Sequence, residues 1–384
     1  MKIICATSIS YAQEAFGPLG ELQILDPRQI TPSVLKNANI LIARSTLKIN
    51  AALLEGSRVK FVGTCTIGYD HLDINYLEQS GIVWTAAPGC NANSVAEYVT
   101  AALLHLARKH NFTLRGKTIG IIGVGHVGSL VVKKASALGM RVLLNDPPLF
   151  DQTGAACYRP LEEVLTKADI ITMHVPLEKG SKYPTLHLAD QKFFNKAKQG
   201  CFFINAARGP VMDSDDFLKA RAGKIIGRSV IDCWEKEPAL RLDVMQAADI
   251  ATPHIAGYSL EGRAMGTVHV YRELCKFLGL EPKLTLAALL PPPPVPAIRF
   301  DAAGLPDEAA LAEIISRVYY IAADDYELRS FSSAHDKTRG ENFEKMRKNY
   351  HMRREFRFTR VILQNGSASL VESLRQLEFQ VVTG

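Results

Sequence analysis

The chain contains 384 residues, 47% of them hydrophobic and 22% charged, which leaves room for two or three folded domains. A net charge of +6, spread along most of the chain, argues against a nucleic-acid-binding protein and favours small anionic ligands. The seven cysteines are scattered without a C-x-x-C pair, so we expect reduced thiols and no metal site. No apolar run approaches the roughly 20 residues that cross a bilayer, so we expect a cytoplasmic protein with no membrane partner.

The first part of the chain alternates predicted strands and helices. Strands are predicted over 2–6, 22–25, 40–43 and 59–63, and a helix over 11–16. Polar loops follow the last two strands, and the first of these loops carries Arg44 and Ser45. Open parallel sheets bind ligands at the carboxyl ends of their strands, so these loops are candidate ligand sites. We predict a small flavodoxin-like α/β domain over 1–95, completed by a returning helix within 262–285.

The strongest pattern lies at residues 118–128, where an apolar strand runs into a G-x-G-x-x-G turn and a helix. The predicted cofactor contacts in this turn are Gly123, Gly125, His126, Val127 and Gly128. A second predicted strand ends in Asp146. Such a turn lets a pyrophosphate approach backbone N–H groups, and the carboxylate accepts hydrogen bonds from ribose hydroxyls. Because Asp146 repels a phosphate on that ribose, we predict NAD rather than NADP.

Further alternation of strands and helices follows this turn. Strands are predicted over 140–145, 169–175, 201–205, 229–232 and 250–252, with helices over 161–165, 189–197 and 214–221. Six alternating units imply a doubly wound parallel Rossmann sheet over 96–261. Four consecutive prolines at 291–294 break the pattern, and the elements beyond them predict a small C-terminal α+β domain over 286–384.

Three loop residues of the second domain carry groups suited to hydride transfer, and each follows a different predicted strand. They are Arg208, Glu237 and His254. His254 is the natural acid/base because an unperturbed imidazole titrates near pH ~6.5. Glu237 can hold the other ring nitrogen, and Arg208 can grip a carboxylate. Singly each has an ordinary structural explanation, but their shared position at one sheet edge favours an active site.

Together with the glycine turn, residues 205–209, 232–238 and 252–257 resemble the successive signatures of the NAD-dependent D-2-hydroxyacid dehydrogenases, in that family's order. A narrower resemblance, to members that oxidise a phosphorylated hydroxy acid, rests on residues 87–91, 183–188, 254–262 and 347–354. The match covers nearly the whole chain. It implies an NAD-binding domain inserted in a substrate-binding lid domain, and a C-terminal domain that forms a homodimer.

The resemblance also implies roles for individual residues. Arg208, Glu237 and His254 become the catalytic residues, with His254 as the proton carrier, and Asp146 holds the adenosine ribose. The remaining implied contacts are Val175, Ala206, Ala207, Asp232 and Gly257 with the cofactor, and Ser45, Thr66 and Tyr258 with the substrate. Val175 stands where the family has a threonine, so only its backbone is available for hydrogen bonding.

The phosphorylated substrate poses a charge problem. A molecule with a carboxylate and a phosphate carries about three negative charges, which is more than a single arginine can neutralise. We therefore expect Arg208 at the carboxylate, and Arg44, helped by Lys48, at the phosphate beside Ser45. A basic cluster in the tail, within a helix predicted over 341–354, consists of Lys345, Arg347, Lys348, Arg353 and Arg354. It is either a solvated helix face, which the pattern favours, or a group that reaches the site of a neighbouring subunit.

Two other functions stay open at this stage. The first alternative is another D-2-hydroxyacid dehydrogenase, one that acts on 3-phosphoglycerate or hydroxypyruvate. From a different class, it is an NAD-sensing binding protein, although the complete acid/base set speaks against this. Turnover of the competing substrates, and NADH binding without turnover, distinguish these alternatives.

Overall fold

The computed structural model describes residues 1–384 and separates them into two units. The first unit comprises Met1–Asn91 and Ser259–Pro292, and the second comprises Ala92–Tyr258 and Pro293–Gly384. No helix combines the length and apolar character that a bilayer crossing requires.

The strands are numbered in chain order. They are β1 (Lys2–Ala6), β2 (Glu21–Leu25), β3 (Ile40–Ala43), β4 (Phe61–Thr64), β5 (Val83–Thr85), β6 (Thr118–Ile122), β7 (Arg141–Asn145), β8 (Ile170–Met173), β9 (Cys201–Asn205), β10 (Ile226–Ile231), β11 (Ile250–Ala251), β12 (Ala297–Asp301), β13 (Arg360–Gln364) and β14 (Gln380–Thr383). Every pair among them is parallel, because at least one helix or long connection separates successive strands.

The helices are numbered in the same way. They are α1 (Ala12–Phe16), α2 (Pro32–Leu35), α3 (Ala51–Leu54), α4 (Ile74–Gln79), α5 (Ala92–His110), α6 (His126–Ala137), α7 (Pro147–Thr153), α8 (Leu161–Lys167), α9 (Gln191–Lys196), α10 (Ser214–Ala222), α11 (Leu242–Ala247), α12 (Leu260–Phe277), α13 (Leu286–Leu289), α14 (Asp307–Val318), α15 (Ile321–Arg329), α16 (Asp336–Lys348) and α17 (Ala368–Gln376). Each strand of the large sheets is thus followed by at least a turn of helix or a polar loop.

The first unit is built on a five-stranded sheet in the order β2-β1-β3-β4-β5. This order is that of flavodoxin-like folds, so the predicted architecture is confirmed. Helix α12 returns to cover the sheet, and a β-carbon added to Gly63 would lie 2.3 Å from Val270 on that helix. Glycine therefore permits the close approach of helix and strand that buries both faces of β4.

The second unit contains a six-stranded sheet in the order β11-β10-β9-β8-β6-β7, which confirms the predicted doubly wound sheet. From β6 the chain adds β7 on one side of the sheet and then crosses over to add β8 on the other side. The turn after β6 lies at this switch point between β6 and β8. Such switch points are where open parallel sheets bind ligands. All five residues of β6 are buried, as expected of a central parallel strand covered on both faces.

The C-terminal residues form a third sheet, in the order β12-β13-β14, within the second unit. The sequence predicted an α+β arrangement here, whereas the strands are all parallel and alternate with helices. Helix α14 packs on α5, and α17 packs on α6. One hydrophobic core runs through these contacts from β6 to β13, which explains why the tail and the nucleotide-binding fold make a single unit.

Several tail elements differ from the sequence-based prediction. The basic helix expected over 341–354 is α16, which begins earlier and ends at Lys348. Residues after it run as irregular chain in which Arg353 and Arg354 are buried. Strand β12 and helix α15 were not predicted. Buried arginines replace the expected solvated face because their partners come from distant parts of the chain.

Candidate active site

The turn between β6 and α6 has the geometry of a dinucleotide-binding loop. Gly123 has a left-handed backbone with φ of 87°, and a β-carbon there would lie 2.8 Å from the carbonyl carbon of His174. A β-carbon on Gly128 would lie 2.0 Å from the Gly123 oxygen. A β-carbon on Gly125 would meet nothing within 4 Å. Two glycines are thus required by the fold, while the third borders open space suited to a pyrophosphate.

Asp146 lies beside this turn, at the end of β7. Its Oδ2 accepts a hydrogen bond of 2.7 Å from the Val124 N–H, and its Oδ1 accepts one of 3.0 Å from the Leu149 N–H. The carboxylate therefore holds the glycine turn and the start of α7 together. It retains lone pairs for ribose hydroxyls, because each carboxylate oxygen accepts more than one bond. His126 and Val127 begin α6, where no side chain caps the free N–H groups.

The other predicted cofactor contacts lie on neighbouring strand ends. Val175 follows β8, and its side chain would lie 2.9 Å from a β-carbon on Gly123, so it borders the glycine turn. Ala206 and Ala207 follow β9 and are almost fully buried. The Asn205 side chain closes their loop, because its Oδ1 accepts from the Ala207 N–H at 3.1 Å. These positions offer mainly backbone groups to a ligand.

His254 and Glu237 form a hydrogen-bonded pair. The His254 Nδ1 lies 2.7 Å from Glu237 Oε2, and Glu237 Oε1 accepts a bond of 2.8 Å from the Trp234 N–H. Although burial by itself raises the pKa of Glu237, the charge and hydrogen bond of His254 act together with the charge of Arg347 and the Trp234 N–H to hold that pKa below its usual value. The arrangement orients the imidazole and leaves its Nε2 to exchange a proton with a bound hydroxyl.

The backbone of His254 is held in the left-handed region, with φ of 56°. A residue that carries a β-carbon adopts this conformation at a cost, and surrounding contacts must enforce it. Asp232 supplies those contacts. Its Oδ1 accepts from the Thr252 hydroxyl at 2.6 Å and from the Ile255 N–H at 2.8 Å. Its Oδ2 accepts from the Ala256 N–H at 3.0 Å.

Asp232 is only 1% exposed, and burial raises its pKa although the nearby His254 opposes the shift. Its hydrogen bonds hold the loop both before His254, at Thr252, and after it, at Ile255 and Ala256. The family resemblance implied a contact between Asp232 and the cofactor, and that contact stays a prediction. Sequence reasoning missed two further braces on Thr252: the Tyr98 hydroxyl lies 2.6 Å from its Oγ1, and the Trp234 indole donates to its carbonyl at 2.9 Å.

Arg208 lies on the loop after β9. Its Nη1 donates to the Ala207 carbonyl at 2.8 Å, and the Asn205 amide donates to the Arg208 carbonyl at 3.1 Å. The next residue is Gly209, where a β-carbon would lie 1.8 Å from the Trp234 oxygen. The loops that carry Arg208 and Glu237 are therefore in direct contact, and the three predicted catalytic residues follow β9, β10 and β11 at one sheet edge.

The predicted substrate residues of the first unit follow two adjacent strands. Arg44, whose Nη1 donates to the Ser8 carbonyl at 3.4 Å, and the exposed Ser45 come after β3. Thr66 comes after β4, where its hydroxyl donates to the Gly68 carbonyl at 2.8 Å. Lys48 is exposed in the same loop as Ser45. The sheet thus brings these residues to one edge of the first unit.

Tyr258, the remaining predicted substrate residue, lies in the second unit directly after Gly257. Its ring contacts the ring of Tyr350, with centroids 5.9 Å apart, and the guanidinium of Arg347, 5.5 Å from the ring centroid. Both partners come from the C-terminal tail. The structure divides the basic tail cluster, because Lys345 and Lys348 are exposed while Arg353 and Arg354 are 1% and 3% exposed. No local sequence signal distinguishes these two groups.

One trio at the site combines metal-ligand types. Ligand atoms of Cys233, Glu237 and His254 lie within 4.8 Å of one another. Burial raises the pKa of the Cys233 thiol well above its usual value, which disfavours the thiolate that binds metals. Glu237 and His254 already satisfy each other. The trio is therefore better described as a hydrogen-bonded carboxylate–imidazole pair beside a buried thiol.

The chain matches known proteins along nearly its whole length. Residues 94–256 match the family model described as D-isomer specific 2-hydroxyacid dehydrogenase, NAD binding domain, and residues 289–377 match a domain of unknown function. The chain is 45% identical to erythronate-4-phosphate dehydrogenase of Edwardsiella ictaluri over 97% of its own length and 98% of that protein. It is 41% identical to the enzyme of the same name from Klebsiella pneumoniae, over 100% and 99%.

Solved structures show the same fold over about three quarters of the chain. D-lactate dehydrogenase of Aquifex aeolicus, in complex with NAD and lactic acid, is 26% identical with a TM-score of 0.60, covering 72% of this chain and 95% of its own. NAD⁺-bound 3-phosphoglycerate dehydrogenase of Entamoeba histolytica is 23% identical with a TM-score of 0.64, covering 74% and 98%. The latter similarity concerns the fold alone.

Proposed function

The chain belongs to the erythronate-4-phosphate dehydrogenases, within the D-isomer specific 2-hydroxyacid dehydrogenases, and we propose on this basis that it oxidises 4-phospho-D-erythronate with NAD. The product is (R)-3-hydroxy-2-oxo-4-phosphooxybutanoate. The reaction is a step of pyridoxal 5'-phosphate (vitamin B6) biosynthesis. The observation that carries the proposal is the 2.7 Å contact between His254 and Glu237 on strand ends of an NAD-binding fold.

The residues of the glycine turn fit the proposed cofactor. Open space at Gly125 and uncapped N–H groups of α6 suit a pyrophosphate, and Asp146 suits an unphosphorylated ribose. When bound, NAD accepts a hydride from the C2 carbon of the substrate. The cofactor preference for NAD over NADP follows from the negative charge of Asp146, which repels a phosphate on the ribose.

In the proposed reaction His254 accepts the proton of the C2 hydroxyl through Nε2. The two electrons of the C2–H bond leave with the hydride, the hydroxyl proton passes to His254, and the hydroxyl oxygen becomes the carbonyl oxygen. The imidazolium that forms is stabilised by the Glu237 carboxylate at Nδ1. Arg208 is proposed to hold the substrate carboxylate as a bidentate partner.

We propose that the phosphate is bound by residues of the first unit. Arg44 and Lys48 supply positive charge and Ser45 supplies a hydroxyl donor in the loop after β3, and Thr66 lies after the adjacent strand β4. Tyr258 is also proposed to contact the substrate. A doubly charged phosphate is well matched to a cation and hydroxyl groups on neighbouring loops.

The test is a continuous assay of NADH absorbance with 4-phosphoerythronate, which compares the native chain with His254→Ala. We expect the variant to lose at least about a hundredfold in kcat while it still binds NADH. Full activity of the variant would remove His254 from the proposed role. Parallel assays with 3-phosphoglycerate and hydroxypyruvate test the alternative dehydrogenases, and NADH binding without any turnover would favour a sensing protein.

We further propose a cytoplasmic homodimer that pairs through the C-terminal domain. Two aromatic side chains near α15, Tyr320 and Tyr326, are 58% and 78% exposed, which is typical of contact surfaces. All seven cysteines are free, and five are buried, as suits a reducing compartment. Light scattering of the native chain and of Tyr326→Glu tests the dimer, because a charge at the interface is expected to yield monomers.

A further inference from the structure

Arg347 lies on the last turn of α16 and contacts the proposed active site of its own chain. Its guanidinium carbon is 5.5 Å from the Tyr258 ring centroid and 5.6 Å from the Phe343 ring centroid. The guanidinium thus lies near both aromatic rings, and its Nε is buried without a hydrogen-bond partner. A long cationic side chain is ordered in this way only when its surroundings favour the charge.

The groups around Arg347 favour its positive charge. Burial by itself lowers the pKa of Arg347, but contacts with Tyr258 and the charge of Glu237 outweigh it, so the pKa is raised overall. In return, Arg347 acts with His254 to lower the pKa of Glu237 against the effect of burial. Arg347 therefore contacts the Tyr258 ring and interacts electrostatically with Glu237.

A second tail arginine fixes the same loop. Arg353 is buried, and its Nη1 donates to the Ala256 carbonyl at 3.1 Å while its Nη2 donates to the Ser94 carbonyl on α5. Its guanidinium also stacks 4.0 Å from the Tyr319 ring centroid. The tail therefore contacts the loop of the proposed proton carrier at Ala256 as well as at Tyr258.

We propose that Arg347 is a positioning residue for the oxidation, which places Tyr258 and keeps a positive charge beside the Glu237–His254 pair. The C-terminal domain would then form part of the active site of its own chain, in addition to any role in dimerisation. The proposal rests on the proposed dehydrogenase function. It concerns a group that acts through Tyr258 and Glu237 rather than on the reacting atoms.

The pH dependence follows from the charged groups around Glu237. His254 after β11 and Arg347 on α16 act directly on Glu237, whose charge in turn acts on Cys233 after β10. Arg208 after β9 and Asp232 after β10 also act on Cys233. Removal of the Arg347 cation makes protonation of the Glu237–His254 pair easier, so the pair titrates at higher pH. Oxidation requires the deprotonated pair, and the acid limb of kcat/KM moves to higher pH.

The experiment compares Arg347→Gln, Arg347→Lys and the control Lys348→Gln, a change at an exposed neighbour on the same helix. We expect Arg347→Gln to lose at least about tenfold in kcat/KM for 4-phosphoerythronate and to shift the acid limb to higher pH. Arg347→Lys keeps the charge, so its acid limb stays in place while its kcat/KM falls because the guanidinium contacts with Tyr258 and Phe343 are lost. Lys348→Gln behaves as the native chain.

NADH binding and the Tm of each variant are measured alongside. A kcat/KM within twofold of native, or an unmoved acid limb, in folded Arg347→Gln overturns the proposal. If Arg347→Gln does not fold, Arg347→Lys decides: a lowered kcat/KM with a native acid limb supports the proposal, and any other result overturns it. A native chain that binds NADH but does not oxidise 4-phosphoerythronate would instead refute the underlying function.

Discussion

The carboxylates of Glu97, on α5, and Glu355, in the irregular chain before β13, share the amide group of Asn93. The amide nitrogen lies 3.2 Å from Glu97 Oε1 and 2.9 Å from Glu355 Oε2. Burial, and then the charge of Glu355, raise the pKa of Glu97 to about 8. The junction between α5 and the C-terminal tail thus contains a buried carboxyl that is protonated at neutral pH.

This pair makes stability depend on pH in a defined direction. Between the usual value of 4.5 and about 8, folded chains keep a proton on Glu97 that unfolded chains release. The stabilisation is therefore complete below pH 4.5 and is lost as the pH rises through about 8. We expect Glu97→Gln, which mimics the protonated form, to gain Tm relative to the native chain as the pH rises across this window. A difference in Tm that is independent of pH would contradict the assignment.

A second prediction concerns Glu237. Glu237→Gln keeps the shape of the side chain but removes the negative charge beside His254 Nδ1. We expect kcat to fall about a hundredfold at neutral pH, because the imidazolium formed during oxidation loses its counter-charge. Steady-state NADH formation measures the effect, and Lys236→Gln, at an exposed neighbour, is the matched control. Equal rates for the two variants would show that Glu237 does not assist His254.

The glycine turn offers a matched pair of substitutions. Gly128→Ala places a β-carbon 2.0 Å from the Gly123 oxygen, so α6 must move away from the turn, at a cost of about 1–3 kcal/mol. Gly125→Ala meets no atom within 4 Å, and its stability is expected to remain close to native. Both variants are expected to bind NADH more weakly. Urea denaturation and NADH titration separate the two effects, and native NADH affinity of Gly125→Ala would exclude that residue from the pyrophosphate site.

A fourth prediction concerns the substrate phosphate. We expect Arg44→Ala to raise the KM for 4-phosphoerythronate about tenfold or more, because a charged hydrogen bond to the phosphate is lost. Turnover of unphosphorylated D-erythronate, however slow, is expected to change little. Lys36→Ala, at an exposed position of the same unit, serves as the control. Unchanged kinetics of Arg44→Ala toward the phosphorylated substrate would assign the phosphate to other residues.

Much of the nucleotide-binding site was predictable from the sequence because its determinants are local. Gly123, Gly128 and Asp146 lie within one strand, turn, helix and strand, where spacing alone dictates backbone geometry. Arg208, Glu237 and His254 were also predictable, since each follows a recognisable buried strand and the carboxyl ends of parallel strands meet at one edge. These inferences required only hydrophobic patterning and the handedness of parallel connections.

The tail could not be interpreted in this way. Arg347 and Lys348 are adjacent basic residues on one helix, yet the first contacts Tyr258 and the second is exposed. Arg353 and Glu355 meet Ser94 and Asn93, about 260 residues earlier in the chain. The periodicity of a short basic segment does not specify which charge is buried, because burial depends on a partner surface that another part of the chain provides.

The sequence by itself therefore determined the fold of both large sheets and the family, and it predicted His254 and Glu237 as the acid/base pair. Only the tertiary structure decided that Asp232 and Thr252 hold His254 in its left-handed conformation, and that the tail contacts the same loop through Arg347 and Arg353. The physical reason is that local patterns set strands, turns and loops, whereas the pairing of buried charges depends on segments that meet only after the chain has packed.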